Sequence, residues 1–260
     1  MAVDRTTRKE RLDVIAVEKG LARSREQARR MIMAGDVTVD GALADKPGHR
    51  YPVDSVVLAR EKPKYVGRGG IKLEAGLKAF ALNVEGLVCI DVGSSTGGFT
   101  DCLLQHGASR VYAVDVGRGQ LEWKLRTDGR VRVMEGFNAR YLKKSDIPEP
   151  ADFAVVDVSF ISLIKILPAV IQVLGRGGDM ISLIKPQFEA GRAEVGKGGV
   201  VRNRETRLKT VEKVRGGMSG EPRLRWLGME ESPIRGPAGN VEYLAHWRVL
   251  ELEQTEAAKI

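Results

Sequence analysis

The sequence has little that could form a disulfide framework or hold a metal ion. It contains two cysteines, Cys89 and Cys102, and three histidines that stand far apart. Cys89 lies in an apolar run and Cys102 on a predicted helix, which is typical of small buried residues in a reducing compartment. Because metal sites need closely spaced ligands, the sequence predicts no metal site.

Long apolar segments are also missing. No window approaches the roughly 20 apolar residues that a transmembrane helix requires. The first residues, MAVDRTTRKERLDV, are charged and do not resemble a secretory signal. These features predict a cytoplasmic protein without a membrane partner.

Positive charge, by contrast, is in excess. The 260 residues include 42 Lys and Arg against 34 Asp and Glu, which gives a formal net charge of +8 at pH 7. Such a balance is compatible with a polyanionic partner, but many basic proteins bind no nucleic acid. The positions of the cations are therefore more informative than their total.

The first part of the chain predicts two short helices and a hairpin. Apolar residues at helical spacing indicate a helix over 11–19, and Ser24 is a favourable N-cap for a second helix. Alternating valines and the dipeptide Asp40-Gly41 then predict two strands joined by a tight turn. The arginines of this unit are Arg11, Arg23, Arg25, Arg29 and Arg30.

This arginine cluster could follow the phosphates of a folded RNA, although a solvated helix face can carry the same residues. The string RLDVIAVEKGLARSREQARRMIMAGDVTVDG resembles the S4 RNA-binding domain in its helix-helix-hairpin order and its hairpin glycine. The resemblance implies a small α+β domain that binds structured RNA. The charged linker AREKPKYVG, interrupted by Pro63, predicts a boundary between domains 1–63 and 64–260.

The second domain opens with a strand, a glycine-rich loop, a helix and a second strand, in LVCIDVGSSTGGFTDCLLQHGASRVYAVDVG. Glycines let a backbone approach a ligand closely, and Asp115 ends the second strand where it could accept hydrogen bonds from ribose hydroxyls. The spacing is not the G-x-G-x-x-G of a dinucleotide loop. The loop resembles the first methyltransferase motif, and Asp91 with the loop amides suits the amino acid end of S-adenosylmethionine.

Further strands are predicted over 131–135, 153–158 and 179–184, with a helix over 162–174. This alternation predicts a mostly parallel sheet covered on both faces, an α/β domain of Rossmann-like type. Asn138 follows one of these strands and is a candidate contact for adenine. The candidate cofactor residues are Asp91, Gly93, Ser94, Ser95, Gly97, Gly98, Phe99, Asp115 and Asn138.

Four charged residues are candidates for catalysis: Lys72, Asp157, Lys185 and Glu242. Asp157 and Lys185 end predicted strands, and ligands of open α/β sheets bind beyond those ends. Any one of them alone is more often a solvated residue or half of an ion pair. Together they resemble the Lys-Asp-Lys-Glu tetrad of ribose 2′-O-methyltransferases of the FtsJ/RrmJ type.

Nearly the whole chain resembles the TlyA family, which joins an S4 domain to such a methyltransferase. The strings KYVGRGGIKLEAGL, DVGSSTGGFTDCLL, VVDVSFISL, LIKPQFEAGR, VGKGGVVR and GPAGNVEYL carry the resemblance. One departure is Gly67, where a serine is expected. The resemblance implies S-adenosylmethionine as cofactor, ribosomal RNA or ribosomal subunits as partner, and a cytidine 2′-hydroxyl as target.

The tetrad suits this chemistry, because a ribose hydroxyl is a poor nucleophile until its proton is removed. Lys185 is the candidate general base. Lys72 would disfavour its protonated form, while Asp157 and Glu242 would orient the amines. If the carboxylates neutralise the cluster, Lys185 stays protonated and only positions the hydroxyl. The sequence leaves both possibilities open.

Other readings of the sequence are a non-catalytic RNA-binding assembly factor and a small-molecule methyltransferase. The intact tetrad and cofactor loop argue against the first, and the basic front domain argues against the second. The TlyA family also carries a haemolysin label. Membrane lysis would need an amphipathic or apolar segment that is not part of the core, and the sequence shows no such segment. The segment 188–207, rich in glycine and charge, predicts a loop beside the active site that either orders over RNA or is merely solvated.

Overall fold

The computed structural model describes residues 8–60 and 63–250. These residues form two compact units, which divide the chain between Pro63 and Lys64. Each unit has its own hydrophobic core, because the buried residues of the first cluster together and those of the second form separate clusters.

The first unit is a small α+β domain. Its elements are β1 (Lys9–Arg11), α1 (Leu12–Glu18), α2 (Arg25–Met33), β2 (Val37–Val39), β3 (Ala42–Leu43), β4 (Arg50–Pro52) and β5 (Val57–Ala59). Ser24 caps α2 as predicted, since its hydroxyl accepts a hydrogen bond from the Gln27 amide at 3.2 Å. Asp40 and Gly41, with φ of 51° and 82°, form the predicted turn between β2 and β3.

The second unit is built on a seven-stranded sheet with the order β11-β12-β10-β9-β6-β7-β8. The strands are β6 (Val88–Val92), β7 (Arg110–Asp115), β8 (Val131–Glu135), β9 (Ala151–Val156), β10 (Leu174–Ile184), β11 (Leu224–Glu231) and β12 (Tyr243–Val249). The five strands from β10 to β8 are parallel. On one side β12 pairs antiparallel with β10, and β11 at the edge pairs antiparallel with β12.

Helices cover both faces of this sheet. They are α3 (Gly69–Ala79), α4 (Gly98–Gln105), α5 (Trp123–Arg126), α6 (Leu167–Val173), α7 (Pro186–Glu189) and α8 (Arg204–Gly217). Neighbouring strand residues alternate between two cores: Cys89 packs with α3 and α4, and Ile90 packs with α6 and α8. The predicted Rossmann-like α/β fold is thereby confirmed, and both cysteines are buried and free.

Several elements differ from their sequence-based predictions, among them β10, which begins at Leu174 and not at residue 179. The helix expected over 162–174 is a 3-10 turn at Leu163–Lys165 followed by α6, which carries Pro168 in its first turn, where a missing backbone amide is tolerated. The strand expected over 153–158 ends at Val156, so Asp157 is the first residue beyond it.

Because parallel strands end at one edge, the loops after β6, β7, β8, β9 and β10 gather there.

Candidate active site

The glycine-rich loop after β6 lies against the end of β9. Gly93 has a φ of 89°, and a Cβ atom added to it would collide with the carbonyl oxygen of Asp157. Only glycine therefore permits this approach of the two strand ends. Asp115, at the end of β7, accepts hydrogen bonds from the Ser95 amide at 2.8 Å and the Gly117 amide at 2.7 Å, which fixes the loop from its other side.

A pocket of about 470 Å³ opens at this edge, and we call it the strand-end pocket. Four predicted cofactor residues line it, namely Gly93, Ser95, Asp115 and Asn138. It is also lined by Val92, Val114, Val116, Gln120, Phe137, Ala139, Asp157, Val158, Ser159, Phe160, Ile161 and Ile166. Its volume and mostly apolar wall suit a small organic ligand.

The remaining loop residues take other positions. Ser94, Gly98 and Phe99 line a smaller cavity of about 130 Å³, whose wall also includes Asp157. Gly97 is on the lining of neither cavity. A Cβ atom there would collide with Leu125, so this glycine allows α5 to pack on the loop.

Asp91 is fully buried and does not reach the wall of either cavity. One carboxylate oxygen accepts a hydrogen bond from the Thr100 hydroxyl at 2.6 Å, and the other has no hydrogen-bond partner among the described residues. Burial raises the pKa of Asp91 to about 7. A direct contact between Asp91 and a ligand stays a prediction, while the bond to Thr100 joins the end of β6 to α4.

The four predicted catalytic residues form two ion pairs. Lys72, on α3, places its Nζ 2.5 Å from Glu242 Oε2, and the two side chains are only 8% and 1% exposed. Lys185, directly after β10, places its Nζ 2.6 Å from Asp157 Oδ1. The Lys185–Asp157 contact is close but not aligned as a hydrogen bond. The aligned bond of Lys185 goes to Ser159 Oγ at 2.9 Å.

A further pocket of about 370 Å³, which we call the lysine pocket, brings members of both pairs to one wall. Lys185 and Glu242 line it, together with Ser159, Phe160, Gln187, Phe188, Val195, Gly198, Gly199, Pro237, Ala238 and Asn240. Ser159 and Phe160 also line the strand-end pocket. The two pockets therefore adjoin at the loop that follows Asp157.

The glycine- and charge-rich segment predicted to lie beside the active site contributes Gly198 and Gly199 to this wall. Buried Asn240 holds it there: its side chain donates to the Gly199 carbonyl at 2.8 Å and accepts from the Val201 amide at 3.0 Å. Whether the segment orders over RNA stays a prediction.

Ser159 and Phe160 were not recognised from the sequence. Phe160 is 90% exposed and has a φ of 64°, an unusual backbone conformation for an aromatic residue. Its ring lies 5.0 Å from that of Phe188. In the sequence it belongs to the segment VSFISL, where no pattern predicts an exposed ring. Its position just past the Asp157 strand end was the one available signal.

The arginines of the first unit have unequal surroundings. Asp13, which is fully buried, receives ion pairs from Arg11 at 2.9 Å and Arg25 at 3.0 Å. The hydrogen bond from Arg11 lowers the pKa of Asp13 despite its burial. Arg11 and Arg25 therefore neutralise a buried carboxylate. Arg23, Arg29 and Arg30 are exposed, and the contact of Arg30 with Glu26 is long at 3.7 Å.

Among the described residues, no group of three or more His, Cys, Asp and Glu side chains could hold a metal ion. Within the same residues, every helix is too short or too polar to cross a membrane.

Comparison with known proteins identifies both units. Residues 65–249 match the family model of the FtsJ-like methyltransferase, and residues 10–57 match that of the S4 domain. The 16S/23S rRNA (cytidine-2'-O)-methyltransferase TlyA of Mycobacterium tuberculosis is 43% identical over 97% of this chain and 94% of its own. Hemolysin A of Brachyspira hyodysenteriae is 41% identical over 91% of this chain and 99% of its own.

A solved structure from Streptococcus thermophilus with a provisional hemolysin name has a TM-score of 0.72 and 46% identity, and the match covers 97% of this chain and 92% of that chain. The class defined by fold and site is a Rossmann-like methyltransferase preceded by an S4 domain. Within that class the chain belongs to the FtsJ-like methyltransferase family, in the group that includes TlyA and Hemolysin A. The resemblance found in the sequence is thereby confirmed.

Proposed function

We propose that the protein transfers a methyl group from S-adenosylmethionine to the 2′-hydroxyl of a cytidine in ribosomal RNA. The observation that carries the proposal is the pairing of Lys72 with Glu242 and of Lys185 with Asp157, beside a pocket of small-molecule size. The name of the Mycobacterium tuberculosis relative supports the substrate and the atom that is methylated.

The strand-end pocket fits this cofactor. Asp115 and Asn138 lie on its wall with polar atoms that can bind a ribose and an adenine edge. The side-chain oxygen Oδ1 of Asn138 accepts a hydrogen bond from the Arg140 backbone amide at 3.1 Å, which leaves the side-chain nitrogen Nδ2 to donate to a ligand. At Gly93 and Ser95 the loop comes close to the pocket without a large side chain. When bound, S-adenosylmethionine supplies a methyl group on a positively charged sulfur.

Lys185 is the group best arranged to act on the hydroxyl. Its Nζ donates an aligned hydrogen bond to Ser159 Oγ and lies 2.6 Å from Asp157 Oδ1 without alignment to it. A neutral amine held by Ser159 keeps a lone pair that can accept the hydroxyl proton. A protonated amine donates a hydrogen bond instead, so Lys185 would then only position the oxygen.

Phe160 is proposed to stack on the target base. A highly exposed aromatic ring where the two pockets adjoin offers a flat surface to an unpaired base. Phe160→Ala should lower kcat/KM for RNA by roughly 5- to 150-fold, since stacking contributes about 1–3 kcal/mol per base. Phe160→Tyr should keep most activity. An alanine variant with unchanged kcat/KM would remove Phe160 from substrate binding.

The first unit is proposed to bind RNA through three of its exposed arginines, Arg23, Arg29 and Arg30, which do not contact the buried Asp13. Replacing Arg23, Arg29 and Arg30 with alanine should weaken RNA binding and reduce the slope of log K against log salt by about 2–3 if each neutralises one phosphate. Arg11 and Arg25 stay in place, so that Asp13 keeps its partners. Binding is measured by filter retention at several salt concentrations.

The triple lysine variant is the matched control for this experiment, because it keeps the charge and should keep most of the salt slope. If the alanine variant binds RNA as tightly as the wild type at every salt concentration, the first unit is not the main RNA anchor.

The proposed function is tested by transfer of radiolabelled methyl groups from S-adenosylmethionine to purified ribosomal subunits. Label on RNA, mapped to a cytidine ribose, is the expected result. A protein that binds S-adenosylmethionine and RNA but labels neither subunit would instead favour the non-catalytic assembly factor.

A further inference from the structure

Glu189 is a buried carboxylate close to the site with no assigned part in the reaction. It ends α7, the short helix that begins directly after Lys185, and its side chain is 2% exposed. One oxygen accepts a hydrogen bond from Ser162 Oγ at 2.6 Å, and the other accepts from the Leu163 amide at 2.8 Å. Lys213 Nζ donates to the Glu189 backbone carbonyl at 2.6 Å.

Contacts at three points connect the segment 157–163 with the segment 185–189. At one end, Lys185 contacts Asp157 and Ser159. In the middle, the rings of Phe160 and Phe188 lie 5.0 Å apart. At the other end, Glu189 holds Ser162 and Leu163. The loop with Ser159 and Phe160 is thus fixed on one side by β9 and on the other by Glu189.

Two features indicate that the loop needs this second anchor. The left-handed backbone of Phe160 is unfavourable for an aromatic residue and persists only where its surroundings determine it. Burial of Glu189 also carries a cost, since it raises the pKa of that carboxyl. No ion pair to the Glu189 carboxylate is found among the described residues, so its two hydrogen bonds to the loop are its main compensation.

We propose that Glu189 is a positioning residue that fixes the loop from Asp157 to Ser162, and through Ser159 and Phe160 sets where Lys185 and the target base meet. This inference rests on the proposed function for its catalytic consequence. The placement of Phe160 by Glu189 is structural and does not depend on the proposed function.

Glu189→Ala should lower kcat by about 10- to 100-fold, because small misplacements of reacting groups can cost that much. The Kd for S-adenosylmethionine should change by less than about threefold, since Asp115, Asn138 and the glycine-rich loop do not contact Glu189. The KM for RNA should rise by no more than the factor expected for Phe160→Ala, because that ring is the RNA contact carried by the loop. Glu189→Gln should recover most of kcat, because its amide oxygen can accept from Leu163 and its nitrogen can donate to Ser162. An alanine variant with wild-type kcat, or a glutamine variant as slow as alanine, would overturn the proposal.

Ser162→Ala removes one of the two anchors and is the variant to use if Glu189→Ala does not fold. It should lower kcat by a smaller factor, about 3- to 10-fold. Ser219→Ala is the matched control, because Ser219 is exposed and bonds only the Gly216 carbonyl of its own helix end. Equal kcat values for the two serine variants would contradict the proposal.

Fluorine NMR tests the placement independently of activity. With 4-fluorophenylalanine at all six phenylalanines, the Phe160 signal is assigned by its loss in Phe160→Leu. In Glu189→Ala and Ser162→Ala this signal should shift or broaden, and in Ser219→Ala it should not. An unchanged signal in the first two variants would overturn the positioning role. Absence of methyl transfer by the wild type would contradict the proposed function and leave this result standing.

Discussion

Lys185→Ala is expected to lose methyl transfer by about 10²- to 10⁴-fold, the contribution typical of a positioned acid or base. The variant loses the contacts of the amine with Asp157 at 2.6 Å and Ser159 at 2.9 Å, and among the described residues no other Lys, Arg or His lines the lysine pocket. RNA binding and S-adenosylmethionine binding should be retained, because the exposed arginines and the strand-end pocket do not include Lys185. Single-turnover transfer to ribosomal subunits measures the effect.

Lys165→Ala is the matched control, since Lys165 is an exposed lysine on the 3-10 turn near the same loop. It should transfer methyl groups at the wild-type rate. If Lys185→Ala keeps more than about a tenth of the activity, Lys185 is neither base nor essential positioner. Lys185→Arg separates these two roles. Arginine cannot give up its proton in proteins, so an arginine variant as inactive as alanine favours the base, whereas substantial activity favours positioning.

The sequence predicted the fold class and most strands of the parallel part of the sheet, but not the order of the strands in the sheet. The buried strand β9 is mostly apolar and its ends fall within two residues of the prediction, and β8 has the predicted ends. The helix α8 and the edge strand β11 were not predicted. In α8 the buried residues are few, and β11 exposes most of its side chains, so neither has a strong apolar period.

The two ion pairs could be predicted in part. Asp157 and Lys185 follow neighbouring parallel strands, and that alone brings them to one edge of the sheet. The partnership of Lys72 with Glu242 joins residues 170 positions apart in the chain and depends on how α3 packs, which no local pattern records. Phe160 was not predicted, because no sequence pattern distinguishes an exposed aromatic residue with a left-handed backbone from a buried one.

The sequence shows where the arginines of the first unit stand in the chain, but not which of them pair with a buried carboxylate. Arg11 and Arg25 were predicted to bind RNA with the other three. The sequence pattern did not predict the burial of Asp13, which is fully buried. A buried carboxylate needs partners, and the two nearest arginines supply them. Their contact with RNA remains a prediction.

Glu242→Ala is expected to destabilise the second unit and to abolish methyl transfer. It leaves Lys72 as an unpaired cation that is 8% exposed. Removing one partner of a buried ion pair typically costs about 3–5 kcal/mol. In a domain of this size each kcal/mol lowers Tm by roughly 2–4 °C, so a decrease of about 10 °C is expected by calorimetry. Lys72→Met should act in the same direction, because it leaves the Glu242 carboxylate buried without its cation.

The double variant Lys72→Met with Glu242→Leu separates stability from catalysis. Replacing a buried pair with apolar residues of similar size is often neutral, so Tm should return towards the wild-type value. Activity should not return, because the Glu242 carboxylate that lines the lysine pocket and the Lys72 amine that pairs with it are gone. Glu205→Ala, at an exposed pair with Lys209 on α8, should leave both Tm and transfer unchanged. A double variant that transfers methyl groups at the wild-type rate would reduce the Lys72–Glu242 pair to a structural contact.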